Sequence, residues 1–189
     1  MLSSKILFHI LTLSSVFGWS TGAYSAGRVD VTMMAGKCET LIASGHDASK
    51  VCEGKVLNSG HESGRVGFYF FISDKATLTI SGEDLPNPTA DTDETRVDLI
   101  LLNLGIEGIP PSETKAFGKC LYENPFLGVP AKVNCMGTTE DGSPFEARFV
   151  TNGTAPQVLS DLELADLPPI AIEASKPAFP RDPKSSGQQ

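Results

Sequence analysis

Two stretches of this chain share one pattern. Gly36-Lys37-Cys38 is followed after thirteen residues by Cys52-Glu53-Gly54, and Gly118-Lys119-Cys120 after fourteen by Cys135-Met136-Gly137. Turn-forming residues stand inside each excursion: Ser44-Gly45-His46-Asp47 in the first, Asn124-Pro125 with Gly128 in the second. A hairpin folded about Gly45 sets Cys38 opposite Cys52, and one folded between Leu127 and Gly128 sets Cys120 opposite Cys135. The spacing therefore predicts the disulfides Cys38–Cys52 and Cys120–Cys135 among the three pairings that four cysteines allow. Loops of this length contribute about 3 kcal/mol each in the chain-entropy model.

Disulfides presuppose an oxidising compartment, and the N-terminus supplies the route. Lys5 precedes the apolar run Ile6–Leu13 with Val16 and Phe17, and small residues follow at 21–26. These are the three parts of a cleavable signal peptide over residues 1–26. The apolar run is too short to span a bilayer, which takes roughly 20 residues. The expectation is a secreted or periplasmic protein with no membrane insertion after cleavage, leaning toward a bacterial envelope; Asn152-Gly153-Thr154 is a glycosylation sequon only in a eukaryote. Loss of residues 1–26 leaves 14 basic against 23 acidic residues, net −9. Such a charge repels phosphate backbones and anionic surfaces, so a nucleic-acid partner is not expected.

Between the cysteine pairs the apolar period is two. Val66, Phe68, Phe70 and Ile72 share one face; Ala76, Leu78 and Ile80 share another. Joining them through Ser73-Asp74-Lys75 pairs Phe68 with Ile80 and Phe70 with Leu78. Val97–Leu104 is apolar at both parities and reads as a strand covered on both faces, with a short buried helix as the rival. Strands at roughly 114–123, 131–138 and 145–151 form a meander. A two-residue turn at Asp141-Gly142 would set Cys135 beside Arg148. A three-residue bulged turn, the favoured alternative, would set it beside Phe149. With strands near 28–34, 37–43 and 50–57, the chain is all-β: an antiparallel β-sandwich or small closed β-barrel of about eight or nine short strands, occupying 27–155. From 156 to 189 prolines accumulate, and this tail is expected to be mostly disordered, in particular from about 170 onward; its one apolar patch runs from Leu159 to Leu167.

No nucleophile elbow, zinc-helix motif, phosphate loop or Cys-x-x-Cys is present, and no cofactor is indicated. The two histidines beyond the signal stand in matching contexts, Ser44-Gly45-His46-Asp47 and Ser59-Gly60-His61-Glu62. If both lay at one end of the fold, His46, Asp47, His61 and Glu62 would be weak candidates for a metal site; exposed turns are the simpler reading. The acidic stretch Glu83, Asp84, Asp91, Asp93, Glu94 and Asp98 suits calcium in ligand type but not in spacing. The preferred expectation is an exported, non-enzymatic domain, of envelope or inhibitor type, binding a protein or small ligand through its loops. The alternative is a metal-dependent or hydrolytic enzyme using His46, His61 and nearby acids.

Overall fold

The structure, a computed structural model, describes residues 29–159. The signal reading of residues 1–26 and all of the tail beyond Leu159 lie outside the described residues. Ten strands follow in order: β1 (Val29–Ala43), β2 (His46–Asp47), β3 (Lys55–His61), β4 (Arg65–Phe71), β5 (Thr77–Asp84), β6 (Thr92–Asn103), β7 (Ser112–Glu123), β8 (Lys132–Thr139), β9 (Pro144–Thr151) and β10 (Gln157–Leu159). Every pairing is antiparallel. β1, β3, β4, β5, β6, β7, β8 and β9 are neighbours in that order, and β9 pairs back onto β1. The result is a closed, eight-stranded, up-and-down barrel.

Closure is the work of β1. Its first half, Val29–Ala35, pairs with β3, and its second half, Gly36–Ile42, pairs with β9. A bulge between Cys38 and Thr40 bends the strand between these duties. The strands expected at 28–34 and 37–43 are thus one strand. β10 adds to the outer edge of the first half at Val31–Met33, and β2 to the far end at Ile42 and Ala43.

Eight strands leave an interior just wide enough for side chains. It is filled by Phe68, Phe70, Phe145 and Phe149 among Leu41, Val56, Leu78, Ile80, Val97, Ile100 and Val133. The hairpin of β4 and β5 has the expected register, Phe68 with Ile80 and Phe70 with Leu78. β6 is a strand, with Val97 and Ile100 in the interior cluster and Leu99 and Leu101 buried on the opposite face.

Both disulfides have the expected partners. Cys120 and Cys135 face each other directly across β7 and β8. Cys38 and Cys52 do not lie across a simple hairpin. The hairpin at Ser44-Gly45 runs for two residue pairs only, and the 48–51 turn, with Ala48 O accepting from Val51 and Cys52 N–H, then folds Cys52 back to β1. The strand expected from residue 50 therefore starts at Lys55.

The β8–β9 register differs from both expected ones: Cys135 pairs with Ala147. The turn does have three residues, but they are Glu140, Asp141 and Gly142, since Thr139 N–H bonds to Ser143 O. The third position of such a turn takes a left-handed backbone. Gly142 holds it at φ 82°, which places the turn one residue earlier than expected.

The repeated glycines also find their reason. Gly118 and Gly137 are paired, and a Cβ on Gly118 would stand 2.2 Å from Met136 O and 2.8 Å from the Phe145 ring. A Cβ on Gly137 would stand 2.2 Å from Phe117 O. In the other copy, Gly36 N–H donates to Gly54 O at 2.9 Å, and a Cβ on Gly36 would lie 2.1 Å from Val150 O and 2.9 Å from the Phe149 ring. The shared pattern marks two places where bare backbone meets bare backbone under a phenylalanine of β9, each beside its disulfide.

Candidate functional site

An up-and-down barrel sends its turns alternately to two ends. The end where β1 begins carries the turns and loops at 62–64, 85–91 and 124–131; the far end carries those at 44–45, 72–76, 104–111 and 140–142. His61 pairs with Val29 and His46 with Ala43. The two histidines thus sit at opposite ends of β1, roughly 45 Å apart along an extended strand. His46 and Asp47 are not brought together with His61 and Glu62, and the enzyme reading that pooled them has no common site.

Locally the two matching sequences do different things. Ser44-Gly45 is a tight turn with both φ positive, 49° and 77°. Asp47 then accepts from Ser49 hydroxyl and N–H, bonds that hold its carboxyl below the usual range. His61 closes β3, where burial and then the charge of Arg65 lower its imidazole pKa, so it is neutral at pH 7. Among the described residues no three His, Cys, Asp or Glu side chains converge as metal ligands.

The acidic stretch is spread over cross-strand partners. Glu83 pairs with Arg96, and Asp98 takes both terminal nitrogens of Arg65 at 2.7 and 3.1 Å. Asp93 accepts from the Tyr122 phenol, and Asp84 lies close enough to Asp93 that burial and this like charge raise its pKa. Tyr122 itself packs edge-on against Phe68, centroids 5.0 Å apart. Its pKa is pushed up by burial, then by Asp93 and Asp84. Burial also raises Tyr69.

A chain beginning at Gly27 holds only these two of the three tyrosines. The folded protein is therefore expected to show no tyrosinate absorbance near the ordinary pKa of about 10, and the guanidinium-unfolded protein to show both groups titrating there. Because the folded phenols keep their protons longer, stability is full below about pH 10 and falls as pH rises above it. A folded-state titration at the ordinary value would contradict the assignment.

Two surface features remain at the β1-start end. One is a cavity of about 250 Å³ lined by His61, Glu62, Arg65, Asp84 and Asp30 among others. Arg65 is 8% exposed, and its Nε and the His61 Nε2 are buried with no hydrogen-bond partner among the described residues.

The other is the β7–β8 loop. Phe126, Leu127 and Val129, three of four consecutive residues, are 54–57% exposed. The loop is held by local bonds: Asn124 Oδ1 caps a 3-10 turn over Pro125–Leu127 by accepting from Phe126 N–H at 3.0 Å, and Gly128 ends it with φ 74°. Asn124 N–H donates to Asp91 O in the neighbouring loop. Ala131 and Thr151 exchange two hydrogen bonds of 2.8 Å that fix the exit. Asn124-Pro125 and Gly128 predict a turn here but not an exposed apolar tip. The missed signal was composition: Phe-Leu-Gly-Val between two prolines puts apolar residues where a turn is ordinarily polar.

Comparison with protein-family models, curated proteins and solved structures returned no match.

Proposed function

We propose that the chain is an exported, non-enzymatic binding domain that engages a protein partner through the Asn124–Pro130 loop. The observation carrying this reading is the display of Phe126, Leu127 and Val129 on a loop pinned at both ends. A preorganised apolar loop loses little conformational freedom on binding, which is how small rigid domains gain affinity. Aromatic anchors of this kind carry much of the energy of protein interfaces. The two disulfides fit an oxidising compartment and stiffen the scaffold behind the loop.

A protein is favoured over a small ligand by size. The cavity beside Arg65, about 250 Å³, is smaller than the roughly 300–1,000 Å³ typical of small-molecule pockets.

The test is affinity capture from the source's envelope or secretome with the immobilised mature chain, followed by titration of what is captured. Phe126→Asp with Leu127→Asp is expected to weaken binding at least about 30-fold, the equivalent of 2 kcal/mol. Leu104→Asp with Ile106→Asp, on an exposed loop at the far end, should leave it intact. Binding lost in the second pair and retained in the first would move the contact to the opposite end of the barrel and defeat the proposal.

A further inference from the structure

Outward side chains of a small barrel ordinarily meet water, since they alternate with those filling the interior. Across the middle of β3 to β6 they do not. Leu57, Tyr69, Phe71, Leu99 and Leu101 lie on the face opposite the interior cluster and are only 1–8% exposed. Thr77, Thr79 and Ser81 of β5, between them, are equally buried. Substantial contacts among the described elements run only between sheet neighbours, so no described strand lies over this face. The same face is short of polar partners: Thr77 Oγ1, Thr79 Oγ1, Arg65 Nε and His61 Nε2 are four of the five buried side-chain polar atoms without a hydrogen bond among the described residues.

We propose that this outer face is the docking site of the chain's own continuation, residues 160–167. β10 runs along β1 from Met33 to Val31 and delivers Leu159 into the cluster of Val31, Leu57, Tyr69 and Phe71. Leu159 is where the described chain ends, at the rim of the face that needs covering. The residues that follow are Ser160-Asp161-Leu162-Glu163-Leu164-Ala165-Asp166-Leu167. Their leucines match the apolar surface. Their acids match Arg65, which keeps its Nε–H after Asp98 has taken the other nitrogens.

The reach is sufficient. Leu159 stands on β10, outside β1, so five strand spacings separate it from β6, about 24 Å, and eight extended residues span about 26 Å. A carboxylate crossing past β4 satisfies the Arg65 Nε–H, and backbone groups above β5 satisfy the threonine hydroxyls. The domain thus carries its own second layer over one side of the barrel, and the loop proposed above as the partner contact lies apart from it.

Hydroxyl-radical footprinting of the full mature chain, read by mass spectrometry, tests this. In the native protein Tyr69, Phe71, Leu99 and Leu101 are expected to be protected. In the Leu162→Asp, Leu164→Asp, Leu167→Asp variant their labelling should rise roughly fivefold, toward that of ordinary surface side chains. Phe68 and Phe70, inside the barrel, report folding and should stay protected. If they too become labelled, the milder Asp161→Asn, Glu163→Gln, Asp166→Asn variant takes over, with a smaller rise at Tyr69 expected. Protection that survives in a folded, monomeric variant would overturn the proposal. So would labelling of the face in the native chain, or protection that vanishes when a native dimer is diluted to monomer, which would make a second copy the cover.

Discussion

Gly118→Val is expected to leave the protein unfolded under conditions where the native chain is folded. The new Cβ would meet Met136 O at 2.2 Å and Gly137 Cα at 2.8 Å, both backbone atoms of the paired strand, with the Phe145 ring at 2.8 Å above. Flexible side chains can step aside; a strand in a closed ring cannot, because its far edge is held by the next strand. Overpacking a core costs about 1–3 kcal/mol when side chains can shift. Prising β7 from β8 also breaks ladder bonds beside the disulfide, so a loss of about 5 kcal/mol is expected, comparable to the whole stability of many domains. Gly60→Ala is the contrast: nothing lies within 4 Å of its Cβ. That change should stay within about 1 kcal/mol. Urea unfolding of both variants decides the matter, and a Gly118→Val midpoint near the native one would refute the close-approach account.

The second large effect separates the two disulfides. Cys120→Ser with Cys135→Ser removes a loop constraint worth about 3 kcal/mol. It also leaves two hydroxyls at positions that are fully buried in the barrel interior. Each unsatisfied hydroxyl costs about 1–3 kcal/mol more. Cys38→Ser with Cys52→Ser forfeits a loop of similar length, but those sulfurs are only partly buried and the hydroxyls can be solvated. The interior pair should therefore be the more damaging by about 2 kcal/mol or more. Cys120→Ala with Cys135→Ala should recover most of that difference. Equal losses in the two serine pairs would show that the interior site accommodates hydroxyls.

Local pattern carried much of this fold. The alternation of Val66–Ile72 against Ala76–Ile80 specifies a hairpin and its register, because one slipped residue would turn Phe68 and Phe70 outward. Gly-Lys-Cys and Cys-x-Gly marked both disulfides and, less obviously, both glycine contacts. Closure was not legible. It depends on Gly36–Ile42 meeting β9 more than a hundred residues later, and no nearby residue announces such a partner. The same distance problem hid the ends of the barrel: identical Ser-Gly-His-acid stretches say nothing about which end each will reach. For the exposed loop, Pro125 and Gly128 specify a turn, while nothing local says whether Phe126 and Leu127 between them turn inward or outward.

The double duty of β1 sets an order of assembly. Val29–Ala35 can pair with β3 as soon as residue 61 has been made, whereas Gly36–Ile42 must wait for residues 146–151. Until those residues are in place that half of the strand is an unpaired edge, the kind that templates association between chains. Its own sequence limits the exposure: β2 folds back on Ile42 and Ala43, and the Cys38–Cys52 bond ties the middle to a local turn. These contacts close short loops, so none of them has to wait for β9. The first disulfide is thus a guard on a half-built ring as much as a brace in the finished one.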